Sequence, residues 1–213
     1  MARYQRFRPR VAAALLAATL GAPLVGGCTP GEAPAPTSPH GASTPGSPSA
    51  APAGGLLADL DIEGLDAVAI IDRLDKTPLA ERPQGVLASV RPNELVLTDA
   101  AEEERTVPMP DDAFYVSLAP YVTQTHECYF HSLLSCVGEL RNTEVSVTIT
   151  DAANGEVVLD KELTTFDNGF LGVWLPRDLD ATVTVAYDGK TATAPISTEG
   201  DEAATCITTL QLT

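Results

Sequence analysis

The sequence predicts an α+β protein: a small N-terminal helical and hairpin domain followed by a C-terminal antiparallel β-sandwich. Three observations predict it. Residues 56–74 carry apolar side chains at near-helical spacing. From Glu139 onward, short stretches alternate apolar and polar residues, the pattern of strands with one buried and one wet face. Asn154-Gly155 and Asp188-Gly189 separate such stretches with two-residue hairpin turn signals.

The elements follow in chain order. Residues 1–27 read as a lipoprotein signal peptide. Arg3, Arg6, Arg8 and Arg10 supply a cationic start, and residues 11–20 are apolar but too short to span a bilayer. The segment ends in Val25-Gly26-Gly27-Cys28, which resembles a lipobox; lipid on Cys28 would anchor the chain to a membrane without spanning it. Residues 28–55 are rich in Pro, Ser, Ala and Gly, and contain His40 but no aromatic residue. Such a segment buries too little surface to offset its ordering entropy, so a disordered tether is expected. Residues 56–112 form the expected helical and hairpin domain. Its main helix is placed at 64–74, with Asp66 in the first turn and Arg73 in the last, in keeping with the helix dipole. A short helical turn follows Pro78, and strands 94–98 and 105–109 flank the acidic loop Glu102-Glu103-Glu104. Residues 113–213 form the expected sandwich. Its strand candidates are 113–122, 144–149, 156–164, 170–175, 182–187, 190–196 and the terminal "CITTLQLT". Strict alternation would put Cys206, Thr208, Leu210 and Leu212 on one face of that last strand.

Charge narrows the partners. The chain has 13 basic and 29 acidic residues, and four of the basic ones are the leader arginines. Nucleic acid and anionic lipid head groups are therefore poor partners for the folded part, whereas small cations would be attracted.

The cysteines are Cys28, Cys128, Cys136 and Cys206. With lipid on Cys28, three remain, and an odd number in an oxidising compartment leaves a thiol unpaired. One disulfide with a stray thiol, a redox-active thiol and a soft-metal site all fit that count. Cys128 and Cys136 lie in "HECYFHSLLSC". Eight residues of strand would hold them roughly 26 Å apart, and eight of helix roughly 12 Å. A disulfide needs Cα atoms within about 7 Å, and thiolates sharing a metal lie about 2.3 Å from it. Either use requires the chain to reverse within His131–Ser135, and Cys206 must be brought in by the fold. No C-x2-C pair marks a zinc finger; a thiolate-only donor set favours Cu(I) or zinc among common metals, and softness favours Cu(I). His126 and His131 are candidate auxiliary ligands, although an isolated imidazole is more often only hydrogen-bonded. The acidic surface is expected to raise the thiol pKa values. No G-x-S-x-G, P-loop, H-E-x-x-H or G-x-G-x-x-G occurs, so no turnover chemistry is assigned; thiols could still reduce Cu(II) while forming a disulfide.

"THECYFHSLLSCVGEL", "TTFDNGFLGVWLPRD" and "CITTLQLT" together resemble the CueP family of exported bacterial copper-binding proteins, over about residues 57–213. The resemblance implies copper handling and copper resistance in the cell envelope, delivery to exported cuproenzyme clients, and a homodimer formed through the N-terminal domain. It also implies that Cys128, Cys136 and Cys206 carry the metal. The lipobox and tether point to the outer face of the cytoplasmic membrane. The alternative is a disulfide-stabilised, metal-free scaffold or interaction domain at the cell surface.

Overall fold

The computed structural model describes residues 60–213. The expected signal peptide, the expected lipidation site Cys28 and the expected 28–55 tether lie outside these residues. Among the described residues, no helix is long and apolar enough to cross a membrane.

Among the described residues the one α-helix, α1, spans Ala67–Asp75. It starts three residues later than the periodicity suggests, because Asp66 caps it: the Asp66 carboxylate accepts from the Ala69 N–H at 2.8 Å. Gly64 lies before the cap with φ +77°, a turn conformation a helix cannot contain. Ile70, Ile71 and Leu74 form the buried stripe. They pack on β1 (Leu87–Val90) and β2 (Glu94–Thr98), which form an antiparallel sheet with β3 (Glu104–Pro108) in the order β1-β2-β3.

The remaining strands build two sheets. β4 (Ala113–Leu118) is the centre of a three-stranded sheet, pairing antiparallel with β7 (Leu171–Pro176) and parallel with β10 (Cys206–Ile207). β5 (Glu144–Asp151), β6 (Val157–Thr164), β8 (Asp180–Tyr187) and β9 (Lys190–Ser197) form an antiparallel sheet in the order β6-β5-β8-β9. Both hairpin signals are realised: Asn154-Gly155 joins β5 to β6, and Asp188-Gly189 joins β8 to β9 with both residues at positive φ.

One apolar core lies between these sheets. Val145, Val147 and Ile149 of β5 and Val183 and Val185 of β8 meet Phe114, Val116 and Leu118 of β4 and Leu171, Val173 and Leu175 of β7. This is the sandwich packing that the alternation predicts.

The chain end departs from the expected strand. Only Cys206 and Ile207 pair with β4. Ala119 N–H donates to Ile207 C=O and Tyr121 N–H to Leu210 C=O, so the terminal segment advances three residues while its partner advances two. The extra residue at Thr208–Thr209 reverses the alternation, as a bulge does. Ile207, Leu210 and Leu212 therefore enter the sandwich core, while Cys206 faces the opposite way with Cys136, Phe170 and Ala119. The expectation that Cys206, Leu210 and Leu212 share a face fails for that reason.

Candidate metal centre

The loop carrying Cys128 and Cys136 is held by backbone hydrogen bonds on both sides. Val90 N–H donates to His131 C=O, and Leu133 N–H donates to Ala88 C=O, so the loop lies along the free edge of β1. Thr205 and Cys206 N–H both donate to Tyr129 C=O, which ties the loop to β10. The reversal falls within Ser132–Cys136: Cys136 N–H donates to Ser132 C=O, and buried Leu133 and Leu134 anchor the turn in the α1 core.

The result brings Cys128, His131, Cys136 and Cys206 together. One donor atom from each lies within 4.8 Å of the others. Cys128 Sγ and Cys136 Sγ are 3.6 Å apart, and Cys206 Sγ is 3.8 Å from His131 Nδ1. All three thiols are free. Donors about 2.3 Å from a shared trigonal centre stand about 4 Å apart, so the spacing fits a soft metal with no large rearrangement. Cys136 and Cys206 are buried and Cys128 is half-buried, so Cys128 is the sulfur nearest solvent. His126 is outside the cluster: its ring stands 5.9 Å from Phe170, and it is not among the four donors.

The surroundings of His131 were not legible as a site in the sequence. The ring is fully buried and packs against Phe170 in a tilted arrangement, centroids 4.7 Å apart. Its Nε2 lies 2.9 Å from Asp75 Oδ1, at the end of α1. Asp75 is itself 1% exposed. Its Oδ2 accepts from Tyr115 Oη at 2.5 Å, and its Oδ1 accepts from Asn168 Nδ2 at 2.8 Å. One signal for Asp75 was available: a carboxylate in the last turn of a helix opposes the macrodipole, so it is there for another reason.

The "FDNGF" block acquires a physical meaning. Asp167 accepts from Leu79 N–H and binds Arg141. Asn168 holds Asp75, and Phe170 covers His131. Gly169, at φ +79°, meets Gly138 so closely that a Cβ on Gly138 would come within 2.6 Å of the Gly169 carbonyl oxygen. Gly172 leaves the space that the Tyr115 hydroxyl fills.

Electrostatics tie the donors together. Burial works against a charged His131 ring, but the Asp75 carboxylate outweighs it and raises the pKa well above the usual histidine range. Cys136 is lowered, chiefly by the neighbouring Cys128 and Cys206 thiols and also by His131. Cys206 is raised, chiefly because hydrogen bonding with Cys128 and Cys136 favours its protonated form, with burial acting in the same direction. Deprotonation is thus favoured at Cys136 and opposed at Cys206. The expectation that the acidic surface raises every thiol fails at Cys136, because S–H and imidazole donors a few ångströms away outweigh distant, solvent-screened carboxylates. Arg82, buried with Nη1 donating to Cys136 C=O at 2.9 Å, brings a guanidinium against the same loop.

The family described as periplasmic copper-binding protein CueP matches residues 69–211. The crystal structure of S.CueP is similar at a TM-score of 0.68 and 41% identity, over 74% of this chain and 94% of that one. Among curated proteins, none matches.

Proposed function

This chain belongs to the CueP family, and from that premise we propose that it is an extracytoplasmic copper-binding protein in which Cys128, Cys136 and Cys206 hold one Cu(I) as thiolates. The observation that carries the reading is the convergence of three free sulfurs and one imidazole nitrogen within 4.8 Å, from segments up to 78 residues apart, 128 to 206. Three thiolates suit Cu(I) by softness, and His131 Nδ1 is the fourth donor. Arg82 supplies a countercharge beside Cys136, which a buried anionic thiolate centre needs. Loading expels the thiol protons and the Nδ1 proton, so apparent affinity rises with pH. Cys128, nearest solvent, is the sulfur through which copper enters and leaves by ligand exchange. Lipid on Cys28 would keep the domain at the outer face of the cytoplasmic membrane, where it sequesters copper and passes it to exported proteins.

The test is a titration of the reduced protein with Cu(I) against a competing chelator. One equivalent binds tightly to the parent. Binding is lost in Cys136→Ser and falls strongly in Cys128→Ser and Cys206→Ser. Parent-like binding by all three variants would remove the assignment.

A further inference from the structure

We infer that Asp75 is a positioning residue for the copper site: it aims His131 Nδ1 at the three sulfurs and so makes α1 part of the centre. This rests on the copper reading above. The geometry begins at the ring. Asp75 Oδ1 occupies His131 Nε2 at 2.9 Å, which leaves Nδ1 as the ring nitrogen facing the sulfurs, 3.8 Å from Cys206 Sγ. Phe170 covers the ring at 4.7 Å, and the His131 backbone is fixed on both sides, by Val90 N–H donating to its C=O and by its own N–H donating to Thr205 Oγ1 at 2.9 Å. The imidazole therefore has no room to flip.

The carboxylate is held as firmly as the ring. Tyr115 Oη donates to Oδ2, while Asn168 Nδ2 donates to Oδ1 and, at 3.1 Å, to the Asp75 backbone C=O. Stability alone does not explain this arrangement. A buried carboxylate at a helix C-terminus is opposed by desolvation and by the macrodipole. A histidine that ligates metal through one nitrogen, however, commonly donates its other N–H to a carboxylate, which fixes tautomer and orientation. The two residues come from the two ends of the described chain's first half: Asp75 from α1, and His131 from the cysteine loop. Losing Asp75 should therefore free the ring and remove the nitrogen donor while leaving the sulfurs in place.

The experiment uses the full chain, reduced and loaded with one equivalent of Cu(I). Affinity is read by chelator competition, and the nitrogen contribution by X-ray absorption at the copper edge. The variants are Asp75→Asn, Tyr115→Phe, His131→Ala and the double variant Asp75→Asn/His131→Ala. Asp75→Asn should lower affinity by about 10- to 100-fold, the usual effect of removing such a partner, with the nitrogen contribution lost and three sulfurs kept. Tyr115→Phe, which removes one hydrogen bond to Asp75, should lower it on the order of threefold to tenfold. The double variant should bind no more weakly than His131→Ala. Should Asp75→Asn fail to fold, Tyr115→Phe carries the test. Parent-like affinity and nitrogen signal in both Asp75→Asn and Tyr115→Phe would overturn the inference, as would losses that add fully in the double variant. Parent-like Cu(I) binding in Cys128→Ser, Cys136→Ser and Cys206→Ser alike would instead overturn the copper reading itself.

Discussion

β4 has two faces, and they do different work. Phe114, Val116 and Leu118 point into the sandwich core, whose buried members are all apolar. Tyr115 and Ser117 point the other way, followed by Ala119 beyond the strand; Tyr115 packs among the α1 residues and Ala119 beside Cys136 and Cys206. The first face is maintained by packing that tolerates any well-shaped hydrophobe. The second depends on directed contacts: a hydroxyl on a buried carboxylate, a carboxylate on an imidazole, an imidazole beside three thiols. The difference teaches that one strand, through its twofold side-chain period, can brace a stable core and position a reactive cluster at once.

That contrast can be broken in order of effect. On the apolar face, Phe114→Ala should lower stability by about 3–5 kcal/mol in a denaturant titration, since it empties a fully buried aromatic site. The folded fraction should still take up Cu(I) as the parent does. A loss of copper affinity without a loss of stability would mean that the faces are not separate. On the polar face, Gly172→Ala puts a methyl group where the Tyr115 hydroxyl sits. Tyr115 is 2% exposed and cannot swing out, so overpacking should cost about 1–3 kcal/mol in thermal unfolding and weaken copper binding together. Unchanged affinity in that variant would separate Tyr115 from the site.

The smallest effect concerns pH. Glu139 accepts from the Thr123 hydroxyl and from the N–H groups of Val122, Thr123 and Gln124, which hold its pKa at about 2. A depressed folded-state pKa stabilises above the unfolded value of about 4.3 and is lost as pH falls through the folded value. The loop before His126 should therefore loosen between pH 4.3 and about 2, seen as faster amide exchange at residues 122–124, while amides of β5 and β8 stay protected. Equal loosening of both regions over that window would remove the local account.

Much of this was readable from residues. The alternation at Val145, Val147 and Ile149, the two Gly-containing turns and the helical stripe of Ile70, Ile71 and Leu74 are local patterns with local causes. The three cysteines could be nominated because soft ligands are scarce in the chain. His126 and His131 could not be told apart, since both sit in the same short stretch and only full burial beside Asp75 and the sulfurs distinguishes His131. Tyr115 and Asn168 were invisible because their partner Asp75 lies 40 and 93 residues away, and Asp75 itself was marked only by its place against the helix dipole.

By itself, then, the order of amino acids determined the β-rich architecture and nominated the three cysteines and a reversal within His131–Ser135, because hydrophobic period and turn chemistry act over a few residues. Tertiary structure alone decided which imidazole joins the sulfurs, which way Cys206 points after an extra residue in the final strand, and which acid braces the ring. Those outcomes depend on close packing between remote segments, where a single glycine or one unpaired residue redirects a side chain by several ångströms.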